Sequence, residues 1–160
     1  MRGPRQPCAA IPELTSDGQK VSISAFDPAR GRGHELIRLE LHGTPIWDLS
    51  PDGTRIANIK NRENAITVFS LKSTSHQAEI PVKGWSIGSL YWAADGKGFF
   101  VSGEGRSGSG LLHVDLEGEV STLWEQKGNA GLYGVPSPDG RHLAIAATLN
   151  NSNVWMLEGF

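Results

Sequence analysis

Trp47-Asp48-Leu49-Ser50-Pro51-Asp52-Gly53-Thr54-Arg55-Ile56-Ala57 is a phrase that the chain repeats. Ser137-Pro138-Asp139-Gly140-Arg141-His142-Leu143-Ala144 is a close copy, and Ala93-Ala94-Asp95-Gly96-Lys97-Gly98-Phe99-Phe100 is a looser one between them. Asp52, Asp95 and Asp139 stand 43 and 44 residues apart. In Ser-Pro-Asp-Gly the fixed φ of Pro suits the second position of a type I turn, Asp follows, and Gly takes the fourth place, where φ is often positive. A short apolar run precedes each turn. Alternating residues follow it, as in Ile56 and Asn58 against Ala57 and Ile59. A period of two means strand, so each copy marks a hairpin.

A turn locked to a strand pattern at a period in the low forties is the sequence mark of a β-propeller built blade by blade. Working outward from the repeats, the chain divides into a leader at 1–7, an incomplete first blade at 8–42, whole blades at 43–83 and 84–127, and a fourth unit at 128–160 lacking its outermost strand. In the first unit, 8–14 reads as a poor strand, 21–26 and 35–41 as alternating strands, and 27–33 as a loop. The expected fold is therefore all-β, a partial β-propeller of about four blade units with outer strands incomplete at both ends, below or at the lower bound of natural rings of roughly four to eight blades. An open arc exposes apolar faces and unpaired edges between blades, so self-association through those edges is expected.

Composition agrees. Twenty Gly, nine Pro and only 20% charged residues among 160 suit a turn-rich β chain. Fifteen basic and 17 acidic residues are interspersed, with a net charge of −2. That pattern leaves no electrostatic footprint for nucleic acid or an anionic membrane. One cysteine, Cys8, excludes an internal disulfide framework. Residues 1–7 carry two Arg but no apolar segment follows, so they do not read as a signal peptide. As written, the chain would remain cytoplasmic; a periplasmic location belongs to a longer parent protein.

Several stretches test for chemistry. Gly103-Glu104-Gly105-Arg106-Ser107-Gly108 has the spacing of a dinucleotide fingerprint, but an alternating strand follows where a helix N-terminus is needed, so it reads as a hairpin loop. His113 and Asp115 share one face of a strand and read as part of a blade's polar face. Five scattered His lack metal spacing and a Cys partner. Ser107 comes nearest to a nucleophile elbow and lacks its final Gly. The expectation is thus no catalytic residue, cofactor or metal, and no enzyme.

Trp47, Trp92, Trp124 and Trp155 read as fillers between blades, where an aromatic buries a large area. Trp85 differs, because Lys83-Gly84-Trp85-Ser86 reads as the loop between two blades and Lys127-Gly128-Asn129 recurs at its position. Such loops and those joining second and third strands gather on one rim and carry binding. The binding candidates are therefore Lys83 and Trp85, Arg62 and Asn64, Arg106 and Ser107, and Asn150 and Asn151. A protein or peptide partner, or a small ligand, is expected there.

The 47–57 phrase, Ser89-Leu90-Tyr91-Trp92-Ala93-Ala94-Asp95-Gly96-Lys97-Gly98, Leu112-His113-Val114-Asp115-Leu116 and Asn153-Val154-Trp155-Met156-Leu157-Glu158 together resemble TolB-type, WD-repeat-like β-propellers. More narrowly they resemble the C-terminal propeller of bacterial multidomain regulators, over about residues 20–160. The resemblance implies a non-catalytic interaction or ligand-sensing module joined to a serine/threonine kinase or winged-helix domain. Two alternatives remain open: the substrate-filter propeller of a prolyl-oligopeptidase-type hydrolase, and a periplasmic TolB-like partner-binding protein.

Overall fold

The computed structural model describes residues 9–40, 44–59, 64–73, 76–128 and 130–149. Thirteen strands make four antiparallel sheets among them. The first sheet holds β1 (Ala9–Leu14), β2 (Lys20–Asp27) and β3 (Gly31–Glu40) in chain order. The second holds β4 (Ile46–Leu49), β5 (Arg55–Ile59), β6 (Ala65–Ser70) and β7 (His76–Pro81), and the third β8 (Ser86–Trp92), β9 (Gly98–Glu104), β10 (Gly108–Asp115) and β11 (Val120–Lys127). The fourth pairs β12 (Ala130–Pro136) with β13 (Leu143–Leu149). Each sheet is a meander in which every strand pairs with its sequence neighbour. The chain is all-β and forms a partial β-propeller.

The repeated turn is one structure built four times. Gly18, Gly53, Gly96 and Gly140 all adopt a left-handed φ of 67–68°. Each glycine N–H donates to the carbonyl three residues back: Gly53 to Ser50 at 2.8 Å and Gly140 to Ser137 at 2.9 Å, for example. Where a hydroxyl opens the turn it locks the aspartate. Ser50 Oγ donates to Asp52 at 2.6 Å and accepts the Arg55 N–H at 2.9 Å. Thr15 and Ser137 repeat this with Asp17 and Asp139. Those hydroxyl bonds, with the backbone N–H bonds behind them, hold all three carboxyls below the usual carboxylate range.

Alternation within each strand buries two faces. Along β5, Ile56 packs with Val21, Ile23, Ile37 and Leu39 of the first sheet. Its neighbours Ala57 and Ile59 join Ile66, Val68 and Ile80 against Leu90, Trp92, Phe99, Val101 and Leu112 of the third. The second sheet is thus packed between the first and the third, as blades are. Trp92 meets Phe99 with ring centroids 4.3 Å apart, and Arg55 lies over the Trp92 ring at 4.6 Å while donating to the Gly96 carbonyl at 3.0 Å. The Arg55 contacts span the gap between the second and third sheets.

Two expectations are corrected. The loop expected over 27–33 is only a turn, because Asp27 closes it by accepting the Ala29 N–H on its side chain and the Arg30 N–H on its carbonyl. The strand resumes at Gly31, where φ is 84°, and the β2–β3 register shifts further along, on either side of Ser24. Trp124 is not a filler between blades among the described residues. It lies 44% exposed on β11, a sheet-edge strand, whereas Trp47 packs on the first core and Trp92 is buried in the second. Trp155 lies outside the described residues.

Candidate functional site

The third sheet has two unlike faces. The face toward the second sheet is apolar from end to end, and Trp85 closes it at the rim opposite the Asp-Gly turns. Its ring lies so near the β9–β10 hairpin that a Cβ on Gly105 or Gly110 would sit 2.8 or 2.4 Å from it. Gly103 is equally confined, by the Ser86 carbonyl at 2.6 Å. These close approaches account for the glycine-rich stretch 103–110. It is a hairpin, closed by Gly105 N–H donating to the Gly108 carbonyl at 2.8 Å, and no helix follows it.

The other face looks toward β12. Near the Asp-Gly end it is closed, because Gly134 leaves room for Leu111 and a Cβ there would touch the leucine methyls at 3.0 Å. Toward the rim it opens into a groove of about 940 Å³. Residues of β8, β9 and β10 line one side, among them Ser86, Ser89, Tyr91, Ser102, Glu104 and Ser109; Gly131, Leu132 and Tyr133 of β12 line another, and Thr44 and Ile46 also contribute. Cross-strand register aligns two rows on this wall. Ser86, Glu104, Ser109 and Gln126 face one another across β8 to β11, and Ser89, Ser102 and Leu111 form the next row. The Ser89 and Ser102 hydroxyls share a 2.6 Å hydrogen bond, and Ser89 Oγ also accepts the Ser102 N–H at 3.1 Å. A bulge in β8 between Ile87 and Ser89 shifts the register there.

The groove arises from a side-chain exchange. In the second sheet the corresponding row is Ile46, Ile59 and Ile66, and all three pack in or against the core. Forty-three residues on, Ser89 replaces Ile46 and Ser102 replaces Ile59. Removing two isoleucines from a blade face leaves space and hydroxyls where the preceding interface has hydrocarbon. Asn129 follows Trp85 at 44 residues, so the plug residue is exchanged as well.

None of the sequence candidates among the described residues lines this groove. Lys83, Arg106 and Ser107 are exposed at the rim, beside Ser86 and Glu104. Asn64 stands at the same end, its carbonyl accepting the Val82 N–H at 2.6 Å. Trp85 is half-buried and packed against the core. Arg62, Asn150 and Asn151 lie outside the described residues. His113 and Asp115 do not pair: His113 meets Phe100 edge-on at 5.4 Å, and Asp115 accepts the Glu117 and Glu119 N–H groups at 3.0 and 2.8 Å. Among the described residues no three His, Cys, Asp or Glu gather as metal ligands.

No family profile matches the chain, and no curated protein matches it by sequence. Solved structures do. TolB from Acinetobacter baumannii is 20% identical with a TM-score of 0.60, over 91% of this chain and 39% of that one. Hydrazine synthase from Kuenenia stuttgartiensis is 18% identical with a TM-score of 0.54, over 82% of this chain and 47% of that one. A Bacteroides fragilis protein titled a "putative 6-phosphogluconolactonase" is 14% identical with a TM-score of 0.52, over 85% and 46%. The likeness is one of fold, that of TolB and its structural kin, and the chain spans less than half the length of each of the three. Two of the three carry enzyme names. That corrects the expectation of no enzyme, because the lack of a catalytic motif was the ground for it, and this propeller fold is shared with proteins named for catalysis.

Proposed function

We infer that the chain is the recognition portion of a larger β-propeller protein, binding a protein or peptide partner, or a small ligand, at the rim end of the groove between the third sheet and β12. The observation that carries this is the exchange of Ile46 and Ile59 for Ser89 and Ser102 in the next repeat. The two hydroxyls bond each other and fill less volume than the isoleucines, which leaves a polar-walled space that an interface packed only for stability would have filled. Lys83, Asn64, Arg106 and Ser107 border the mouth, and Trp85 stiffens the loop beside it. By their spacing in the sequence repeat, Arg62, Asn150 and Asn151 are proposed to act with them.

The TolB likeness supports the propeller scaffold on which this reading rests. The finer reading, the C-terminal propeller of a bacterial signalling or regulatory protein, rests on the sequence resemblance, and a kinase or winged-helix domain in the flanking reading frame is its check.

The groove is tested by ligand-observed NMR of a peptide and metabolite library with wild-type protein and Gly131→Phe. A Cβ at Gly131 meets only Thr148, at an ordinary 3.7 Å, so the variant narrows the mouth without straining the sheet. Ligands that bind the wild type and lose their signal with Gly131→Phe support the reading. Ligands that bind both proteins alike overturn it.

A further inference from the structure

The chain has four Asp-Gly steps, and each closes one of the repeated turns. A glycine after an aspartate leaves the amide nitrogen between them unhindered, which is what attack on the aspartate's own side chain needs. The four turns differ in how the carboxylate is held. Thr15 donates to Asp17 at 2.5 Å, Ser50 to Asp52 at 2.6 Å and Ser137 to Asp139 at 2.5 Å. In the third turn Ala93 stands where the others have the hydroxyl, so Asp95 lacks that bond. Its carboxylate accepts the Lys97 N–H at 3.0 Å, a bond that the other three turns also make, to Gln19, Thr54 and Arg141. The glycine nitrogens are held alike, with Gly96 N–H donating to the Ala93 carbonyl at 2.9 Å, and all four aspartates are exposed. The missing hydroxyl is what sets Asp95 apart.

We propose that Asp95-Gly96 is a site of spontaneous main-chain isomerisation, the first of the four Asp-Gly steps to become isoaspartate. The Gly96 nitrogen attacks Cγ of Asp95 in its carboxylic acid form. A new C–N bond forms, the nitrogen gives up its proton, and the carboxyl hydroxyl leaves with that proton as water, which closes a succinimide. Water then adds back. Opening at the α-carbonyl breaks the original Asp95–Gly96 peptide bond, so the main chain runs on through Cγ and the α-carboxylate is free. One water leaves and one returns, with no oxidant or reductant. A hydroxyl bonded to the carboxylate opposes this twice, by favouring the charged form and by holding the group away from the amide. The depressed carboxyls of Asp17, Asp52 and Asp139 are the first of those effects. The change reaches beyond the turn, because Arg55 donates to the Gly96 carbonyl at 3.0 Å while lying over the Trp92 ring. An extra methylene in the chain before Gly96 displaces that carbonyl and loosens the junction of the second and third sheets.

The test is peptide mapping of the wild type, Ala93→Ser and Ser137→Ala after ageing at neutral pH, with isoaspartate located by electron-transfer fragmentation. In the wild type isoaspartate is expected to accumulate at Asp95 at least about threefold faster than at Asp17, Asp52 or Asp139, the order of one exposed hydrogen bond. Ala93→Ser copies the residue that opens the second and fourth turns and should bring Asp95 down to their rate. Ser137→Ala removes the hydroxyl from Asp139 and should raise it toward the rate of Asp95. Equal rates at the four steps of the wild type overturn the proposal, as does a rate at Asp95 that Ala93→Ser leaves unchanged. Should Ala93→Ser misfold, the wild-type ranking and the Ser137→Ala rate decide in its place. Aged wild type should also melt below fresh protein in step with its isoaspartate at residue 95. A melting temperature that stays fixed as isoaspartate builds up would contradict the loosened junction.

Discussion

The carboxylate of Asp48, on the innermost strand of the second sheet, accepts the backbone N–H of Trp92 on the innermost strand of the third at 2.7 Å. The Trp92 indole N–H returns a 3.2 Å bond to the Asp48 carbonyl, and the second carboxylate oxygen takes the Leu49 N–H at 2.9 Å. The two residues stand 44 apart, one repeat, so this pair clasps adjacent blades. Hydrogen bonds to a charged group contribute about 1.5–3 kcal/mol, and Asp48→Ala is expected to lower stability by that order in urea unfolding. An unchanged midpoint would remove the clasp from the account.

Asp48 also titrates in the opposite sense to the turn aspartates. Burial pushes its carboxyl up, against the pull of the two N–H bonds. A raised carboxyl favours the folded state at low pH and loses that contribution as pH rises through its folded value. The stability difference between wild type and Asp48→Asn should therefore narrow as pH rises above about 4, the ordinary carboxylate value. A difference that widens over that range would contradict the burial argument.

Asp17, Asp52 and Asp139 are held low by their Thr15, Ser50 and Ser137 hydroxyls, and Glu35 by Arg38 and Ser22. Depressed carboxyls stabilise the fold above their unfolded pKa and lose the contribution as pH falls through the folded one. Four such groups oppose one Asp48, so stability is expected to fall below about pH 4. Ser50→Ala should flatten that fall, as read from melting temperature against pH.

At Gly140 the φ of 68° and an Ala94 Cβ only 3.2 Å from where a side chain would begin both disfavour substitution. Gly140→Val is expected to cost about 1–3 kcal/mol, the range for a residue held in a sparsely populated backbone region. Unchanged thermal stability would show that the turn tolerates another backbone.

Trp85 and Gly110 make a paired prediction. Trp85→Ala removes a half-buried ring and is expected to cost about 2–4 kcal/mol, somewhat under the range for a fully buried aromatic. Gly110→Ala should also destabilise, since its methyl would lie 2.4 Å from that ring. In the Trp85→Ala background the same change should become nearly harmless. Additive effects in the double-mutant cycle would deny the contact.

How much of this was legible in the sequence follows from range. Ser-Pro-Asp-Gly could be read because its turn is made by the residues that spell it: Ser50, Asp52 and Gly53 bond one another. The strands followed from alternation, with one shortfall at 27–33, where a side-chain bond from Asp27 closes the chain sooner than a run of glycines suggests. The groove was not legible as a motif. Ser89, Ser102, Glu104, Ser109 and Tyr133 meet only through strand pairing and sheet packing, and nothing local marks them. The signal that could have found them is the substitution of Ser for Ile at a spacing of 43, visible only once the repeats are aligned for their differences. The Asp48–Trp92 clasp was hidden for the same reason.

The claim that matters most is that the protein recognises its ligand in the groove beside β12 and not at the Asp-Gly end. An amide chemical-shift map with a ligand found in the library screen decides it. The account predicts that saturable shifts concentrate at Ser86, Ser89, Ser102, Glu104, Ser109 and Tyr133. Shifts confined to the turns around Asp52, Asp95 and Asp139 would contradict it.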